Sequence, residues 1–472
     1  MLKQLDDSVD RPTNATDVFP MALTPLEYYY WCDDRPEYPT CYPVEMTFSG
    51  PLDRDHFLAA WSATTARHPM VGARIDTSGK RPMWVAGGGD PPPVDWADTP
   101  TPVLPAARRH IDLRTECGLK AWVRIGPSTT RLRLQFHHAC CDGQAAVQFA
   151  EELLIRYHCE VVGEAADTDL PTLHPGLLKT RGMPPQVSAN LPLRLKLQYT
   201  WMIARDWARL LIRSPLPLAS PARPDVLPDT VTSDADFVTR TLDIDVVRRL
   251  RRIASDRGVT VNDLLLRDAF GAVSRWNERC GRERDGWLRI NMPVSFRSRA
   301  DRTLPAANRL SFAFLTRRAS DCRNDERLLD SIARETRNIK RNHGHLTFLG
   351  GLDFARGVPG MLPWFLNRKR CFATMVVSNV GRVFARTRLP RCEGKLTCGN
   401  VQLDNFNGVP PIRPFTRASM VILDYARHTN VSLQCDPRHF SAAQATELLD
   451  DYIYRLKKTA GQGRSFCTSD GD

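Results

Sequence analysis

The sequence lacks a long hydrophobic run: no 18 consecutive residues are apolar and uncharged, so no membrane-spanning helix is expected. The 13 cysteines contain no C-x-x-C pair and their number is odd, which favours reduced thiols over a disulfide framework or a zinc site. The acidic, polar start, MLKQLDDSVDRPTNATDVFP, argues against a secretory signal. Together these absences predict a cytoplasmic protein.

Two further absences restrict the function. No G-x-S-x-G segment is present, which argues against a serine hydrolase with a nucleophile elbow. The net charge is +12, from 65 Lys and Arg against 53 Asp and Glu, yet no nucleic-acid-binding signature accompanies the dispersed basic residues. The charge therefore favours other anionic partners: a nucleotide-bearing thioester, a phosphopantetheine-bearing carrier protein or an anionic membrane.

The length of 472 residues exceeds what one hydrophobic core usually supports, so two lobes are expected. Strand-like and helix-like segments alternate over both halves, which predicts an α/β protein with mixed sheets. The proline-rich segment RSPLPLASPARPDVLPD is the natural boundary. The predicted division is a flexible leader (1–20), a first lobe (21–212), a linker (213–229), a second lobe (230–460) and a flexible tail (461–472).

The stretch LPLRLKLQYTWMIARDWARLLIR, residues 191–213, combines Trp201 and Trp207 with five basic residues. Such a segment is able to lie on a membrane surface, which would make the protein membrane-associated. The preferred interpretation is an ordinary helix that packs its apolar side on the domain.

Two adjacent histidines, His137 and His138, follow the alternating strand pattern RLRLQF. After Asp142 and Gly143, apolar residues recur at helical spacing, so the histidines lie where a strand passes into a helix. A neutral imidazole there is able to accept a proton from an alcohol or amine near neutral pH. Asp142 either orients the imidazole directly or braces the turn through an arginine.

Metal binding by the histidines is disfavoured. Adjacent side chains at a strand end point to opposite faces, and no third ligand is evident in the sequence. We predict no metal.

The segment HHACCDG fits the H-H-x-x-x-D-G motif of the acyltransferase superfamily that resembles chloramphenicol acetyltransferase (CAT). This superfamily includes condensation domains, polyketide-associated and plant acyltransferases, and wax ester synthase/diacylglycerol acyltransferases. Other blocks similar to the family follow in its order: LTPLEYYYW, FLAAWSATTARHPMVGARI, GVTVNDLLL, MPVSFRSR with LPAANRLSFAF, and VVSNVG. The resemblance covers about residues 20–455. It implies two CAT-like lobes, each a mixed β-sheet flanked by helices, with an active-site tunnel between them.

The resemblance also implies roles for individual residues. His138 would be the general base, with His137 supporting the geometry of the site. Asp142 would be held by an arginine, for which we select Arg297, with Arg299 as the second choice. Gly143 would allow close packing where the strand turns into the helix. Weaker, substrate-binding roles fall to Asn262, Asp263, Ser378 and Asn379, although capping a helix would equally explain the first two.

The implied reaction moves an acyl group from a thioester of coenzyme A (CoA) or a carrier protein to an alcohol, forming an ester. The thioester is a substrate, and no bound cofactor is expected. The SNVGR turn lacks the proline usual in the wax ester branch, and no P-L-N block precedes the second lobe, so the branch stays open. The alternatives are amide formation, as in condensation domains, and a non-catalytic carrier- or lipid-binding homologue. We expect a stand-alone enzyme, because no carrier or adenylation unit fits in the chain.

Overall fold

The structure is a computed structural model that describes residues 17–101, 110–164, 170–182, 193–221, 237–281 and 285–461. Most of the predicted leader and tail, and residues 222–229 of the predicted linker, lie outside these ranges. Within the leader, Val18 is described and buried in a core cluster.

The strands among the described residues are β1 (Met21–Ala22), β2 (Cys41–Ser49), β3 (Arg74–Asp76), β4 (Met83–Val85), β5 (Val94–Asp98), β6 (Leu119–Ile125), β7 (Thr129–His137), β8 (Val238–Leu242), β9 (Trp287–Ser295), β10 (Leu310–Arg318), β11 (Met375–Arg382), β12 (Arg391–Cys392), β13 (Lys395–Cys398), β14 (Val401–Gly408), β15 (Ala418–Tyr425) and β16 (His428–Cys435). The α-helices are α1 (Pro25–Asp33), α2 (Arg54–Arg67), α3 (Pro69–Gly72), α4 (Gly143–Val162), α5 (Leu193–Ile212), α6 (Ile244–Asp256), α7 (Val261–Arg279), α8 (Asp325–Arg341), α9 (Leu346–Gly357), α10 (Met361–Leu366) and α11 (Ala442–Thr459).

Two large mixed sheets organise these elements. A seven-stranded sheet has the order β12-β13-β14-β2-β7-β6-β5, and a six-stranded sheet has the order β10-β9-β11-β15-β16-β8. Most neighbouring strands are antiparallel, but β5 pairs with β6, and β11 with both β9 and β15, in parallel. The predicted α/β class with mixed sheets is therefore confirmed.

Each large sheet has its own hydrophobic core. The helices α2 and α4 pack together in the first core, where Phe57 and Phe149 are almost completely buried. The helices α7 and α11 pack together in the second, around Phe270 and Tyr452. Alternating apolar residues in the strands and apolar faces on the helices account for this layering.

A third core cluster joins elements from the two halves of the chain. It contains Tyr30 of α1, Phe312 of β10 and Phe348 of α9, together with Ala139 and Cys140 from the turn after β7. Cys140 is fully buried, and burial raises the pKa of its thiol well above the ordinary value. A small, buried and uncharged thiol of this kind acts as a packing residue.

The division at 213–229 does not separate the two sheets. Strands β12, β13 and β14 come from the second half of the chain but extend the first sheet, with Leu403 opposite Phe48 in the pairing of β14 with β2. The described part of the predicted linker is not a free connection either, since Leu218 and Ala219 are buried in the second core. The predicted boundaries thus miss that strands of the second half belong to the first sheet. This exchange depends on pairing between distant segments, and no local sequence pattern indicates it.

Among the described residues, none of the helices is both long enough and apolar enough to span a bilayer.

Candidate functional site

The two histidines lie at the end of β7 and in the turn that leads to α4. Alternation of apolar and polar residues builds β7, which pairs with β2 so that His137 lies opposite Cys41. The backbone N–H of His138 donates to the carbonyl of Thr40 at 2.9 Å. Asp142 ends the turn as the N-cap of α4, because its carboxylate accepts from the Ala145 N–H at 2.9 Å.

The ring of His138 is enclosed by aromatic side chains. It stacks on Tyr30 with ring centroids 4.1 Å apart and planes 15° apart, and Tyr42 lies at 4.9 Å. Only 9% of His138 is exposed. Burial lowers its pKa to about 4, although its own backbone, Asp142 and Asn308 favour the protonated ring. The imidazole is therefore neutral at physiological pH and able to accept a proton.

The hydroxyl of Tyr30 lies 3.3 Å from Nε2 of His138. Because the two rings are almost parallel, the hydroxyl approaches the nitrogen from above the ring plane. A hydrogen bond to the nitrogen lone pair lies in the ring plane. We therefore interpret this contact as stacking, so the in-plane lone pair of Nε2 has no hydrogen-bond donor among the described residues.

His137 has a different environment and is fully buried. Its Nδ1 accepts from the Ala139 N–H at 3.1 Å, so Nε2 is the ring nitrogen that donates. That nitrogen lies 3.3 Å from the Thr40 hydroxyl and 3.6 Å from the Asp34 carboxylate. These contacts fix the ring and support a structural role for His137.

Asp34 connects His137 to His110, whose Nε2 lies 2.6 Å from the same carboxylate. Burial opposes the charge on Asp34, but the hydrogen bonds from His110, His137 and the Thr40 backbone outweigh it, so its pKa lies well below the ordinary value. The sequence gives no signal for this network, because Asp34 and His110 belong to no motif and lie far from the histidine pair in the chain.

Asp142 and Arg297 form an ion pair with N–O distances of 2.6 and 2.8 Å, which is the contact predicted for Arg297. Asp142 is almost completely buried and also accepts from the Arg309 N–H at 2.7 Å. Arg297 donates in addition to the Ala307 carbonyl at 2.6 Å. Of the two possibilities for Asp142, the structure shows bracing through an arginine.

The turn is also held by Asn308, which lies on the approach to β10. Its Nδ2 donates to the carbonyls of His138 and Ala139, both at 2.9 Å. One side chain from the second half of the chain thus fixes the backbone that carries the imidazole.

The packing role predicted for Gly143 is wrong. A Cβ atom built on Gly143 would meet no heavy atom within 4 Å, and its φ is not in the left-handed region. Gly143 is simply the first residue of α4, where the surrounding space is open.

The four residues with weaker predicted roles lie at the start of α7 and on β11. Asp263 forms a capping box with Thr260 and is almost completely buried, which favours the structural explanation for it. Asn262 and Asn379 contact each other through their carboxamides at 3.3 Å, and Ser378 is half-buried beside them. The described residues provide no direct hydrogen bond between this pair and His138, so the substrate-binding roles stay predictions.

A cleft of about 950 Å³ opens between the two halves of the chain beside the Asp142–Arg297 pair. Gln144 and Gln148 of α4 line one side. The lining from the second half includes five arginines: Arg297, Arg299, Arg302, Arg386 and Arg388. His138 does not line this cleft, so the tunnel at the imidazole stays a prediction.

The neutral state of His138 leads to a testable prediction. In a titration followed by NMR of labelled histidine side chains, we expect His138 to titrate near pH 4, and His345, whose pKa burial also lowers to about 4, to do the same. The His138 resonance is assigned as the one that disappears from the spectrum of His138→Asn. Tyr30→Phe should change the His138 pKa by less than about one unit, because burial and not the hydroxyl sets it. A His138 pKa near its ordinary value would contradict the burial described above.

The fold defined by these sheets is that of condensation domains, with two CAT-like lobes. The starter condensation domain of rhizomide synthetase RzmA, in a mutant form in complex with C8-CoA, is 15% identical with a TM-score of 0.63, covering 94% of this chain and 96% of that one. The first condensation domain of the calcium-dependent antibiotic synthetase, in complex with a substrate analogue, is 15% identical with a TM-score of 0.66, covering 94% and 97%. The nonribosomal peptide synthetase FmoA3 is 16% identical with a TM-score of 0.66, covering 97% of this chain and 46% of that one.

Among curated proteins, the chain is similar to the uncharacterized proteins Rv2305 and MT2362 of Mycobacterium tuberculosis (strains ATCC 25618 / H37Rv and CDC 1551 / Oshkosh). Each is 26% identical over 385 residues, which cover 77% of this chain and 83% of the relative. No protein-family model matches the chain.

Proposed function

We propose that this protein is an acyltransferase that moves an acyl group from a CoA or carrier-protein thioester to a hydroxyl group, with His138 as the general base. The observation that carries the proposal is the neutral, desolvated imidazole of His138, held in a braced turn at the junction of two CAT-like lobes. A base that stays unprotonated near neutral pH suits the removal of a proton from an alcohol.

In the proposed reaction, Nε2 of His138 takes the proton of the acceptor hydroxyl while its oxygen forms a bond to the thioester carbonyl carbon. The resulting tetrahedral intermediate collapses as the carbon–sulfur bond breaks. The leaving thiolate takes the proton back from the imidazolium, so the products are an ester and a free thiol and the base is regenerated. In this scheme Asp142 and Arg297 hold the turn, and no proton passes through them. The scheme uses no metal and no resident cofactor.

An amine acceptor, which would give an amide, is the second candidate. It is favoured by the likeness to condensation domains, because a double mutant of the RzmA domain was crystallised in complex with both C8-CoA and Leu-SNAC. The chemistry at His138 would be the same, since an amine also loses a proton on forming an acyl bond. The third possibility is a non-catalytic homologue that binds a carrier protein or a lipid.

One assay separates these possibilities. The purified chain is incubated with a panel of acyl-CoA donors and a panel of alcohols and amines, and the release of free thiol is followed. We expect thiol release that depends on an alcohol and yields an ester. Release that depends on an amine and yields an amide would replace the first proposal by the second. Binding of donors without any turnover would favour the non-catalytic homologue.

The arginine-lined cleft supports a donor that carries phosphate. Three acids also line the cleft: Asp301, Glu151 and Glu152. Asp301 pairs with Arg309, and Glu152 contacts Arg67, Arg156 and His68. The charge of Glu151 interacts with Arg391 and Arg386. Arg299 and Arg302 are exposed, and they form no ion pair within the described part of the chain. A cleft with such guanidinium groups suits phosphate, which accepts bidentate hydrogen bonds. Both CoA and a phosphopantetheine arm provide that chemistry.

Alanine at Arg299 or at Arg302 should raise the KM for acyl-CoA about fivefold, which corresponds to about 1 kcal/mol for an exposed charge contact. The kcat should not change, because these residues line a cleft that His138 does not line. A phosphate-free thioester of N-acetylcysteamine should react equally well with all variants. Arg252→Ala, an exposed arginine on α6, is the control. An equal loss with the phosphate-free donor would show that the cleft does not bind phosphate.

A further inference from the structure

One side of helix α5 packs against α9. The Tyr199 hydroxyl donates to the Leu346 carbonyl at 2.9 Å, and the Trp207 ring stacks on Phe348 with planes 3° apart. Residues 199, 203 and 207 are four apart and share this side of the helix. This packing agrees with the preferred interpretation of the 191–213 stretch, but it involves only one side of the helix.

The opposite side of α5 carries a second apolar row that no described residue covers. From Leu197 to Leu211 its members are spaced by three or four residues, and Ile212 follows Leu211. All of them are exposed: Leu197, Trp201, Ala204, Ala208, Leu211 and Ile212. The exposed fraction is 63% for Leu197, 62% for Trp201 and 81% for Ile212. Single exposed apolar residues are ordinary, but a continuous row marks a surface that meets an apolar partner.

The elements that pack beside α5 add to this surface. Phe354 of α9, Val358 just after it and Trp364 of α10 are exposed, the first and last by 67% and 62%. The described part of the chain has eleven large hydrophobic residues that are exposed, and seven of them lie on α5 or in the segment 354–364. We call these seven residues the α5 face: Leu197, Trp201, Leu211, Ile212, Phe354, Val358 and Trp364.

Positive charges surround the α5 face. A guanidinium lies over each exposed tryptophan ring, Arg205 at 5.2 Å from Trp201 and Arg368 at 4.9 Å from Trp364. Exposed basic residues continue along α5 and after α10, with Arg194, Arg209, Arg213, Arg368 and Lys369 among them.

Few acidic residues oppose these charges. The one acidic residue of α5, Asp206, is engaged by Arg205 and by the Thr347 hydroxyl. Asp353 of α9 pairs with Arg356. The surroundings of the α5 face are therefore positive in balance.

We propose that the α5 face docks on an anionic lipid surface, with α5 lying along the interface. Tryptophan and leucine side chains enter the boundary between head groups and acyl chains, while arginine and lysine contact the lipid phosphates. Each basic residue near such a surface contributes an attraction that salt screens. This property is independent of the proposed acyl transfer, because none of these residues contacts His138 or the arginine-lined cleft.

The test uses the full chain and vesicles of phosphatidylcholine, alone or mixed with phosphatidylglycerol, in a co-sedimentation assay. We expect binding to the mixed vesicles, weaker binding to phosphatidylcholine alone, and a decrease as salt is added. Trp201→Ser and Leu197→Ser together should lower the vesicle partition coefficient by about tenfold or more, and Arg209→Glu should lower it on mixed vesicles only. Trp201→Phe should largely retain binding.

Tyr454→Ser is the matched control, because Tyr454 is an exposed aromatic residue on α11, 43% exposed and outside the α5 face. It should bind vesicles as the unmodified chain does. Three results would overturn the proposal: no binding to mixed vesicles, equal loss in the Tyr454 control, or a lipid-free dimer that Trp201→Ser converts to a monomer. The last result would assign the α5 face to a second copy of the chain.

Discussion

Replacement of His138 by alanine should lower the rate of thiol release from the acyl-CoA donor by about 10²- to 10⁴-fold, the usual contribution of a positioned general base. The ring is neutral and Asn308 fixes the turn that carries it, so alanine removes a base that is held in place to take the proton. The measurement is kcat/KM with the best donor and acceptor of the panel. The loss should appear in kcat, because proton removal occurs in the transition state and not on binding.

Two controls make this result specific. His428→Ala removes an exposed histidine of β16 and should leave the rate unchanged. Thermal unfolding of His138→Ala shows whether the fold persists.

The pKa of His138 is about 4. The protonation of this residue should therefore leave the wild-type rate almost constant from about pH 7.5 to about pH 5.5. A base with an ordinary histidine pKa would lose about tenfold over that interval. An unchanged rate in His138→Ala would refute the proposed mechanism.

Replacement of Arg297 by methionine should lower the free energy of unfolding by about 3 kcal/mol. The change leaves the carboxylate of Asp142 in a site where only 1% of the residue is exposed, without its charged partner. Removal of one partner from a buried pair costs more than the pair contributes, because the remaining charge is left uncompensated. Urea unfolding, followed by circular dichroism, measures the loss.

The matched control is Arg257→Met. Arg257 also pairs with a carboxylate, that of Glu326, but both side chains are largely exposed, 43% and 69%. This variant should lose less than about 1 kcal/mol. The double variant Asp142→Asn with Arg297→Met should recover part of the stability lost by Arg297→Met alone, because no buried charge remains. Equal losses at Arg297 and Arg257 would contradict the structural role assigned to the Asp142 pair.

Sequence patterns predicted the parts of the site that are local in the chain. The strand β7, the turn with His138 and the helix α4 follow from alternation, then helical spacing, over about 30 residues. The contact of Asp142 with Arg297 was reached only through the family resemblance, since the two residues are 155 positions apart.

The features of the site that the sequence could not predict depend on contacts between residues far apart in the chain. The network of Asp34 with His110 and His137 requires three segments to meet, and no spacing rule joins them. The stacking of Tyr30 on His138 likewise joins α1 to the turn after β7. The role of Gly143 was wrong because a glycine after an N-cap is compatible both with crowded and with open surroundings, and only the structure distinguishes them.

The exchange of strands between the halves has a mechanical consequence. Because β14 covers the edge of β2 in the first sheet, residues 21–212 expressed without the rest would expose a bare strand edge that invites aggregation. The same pairing ties the halves together at a second place besides the chain connection, so wide hinge opening would have to break a β-ladder. Rearrangement that admits substrates should therefore be confined to side chains and short segments around Tyr30, and the whole chain should unfold as one cooperative unit.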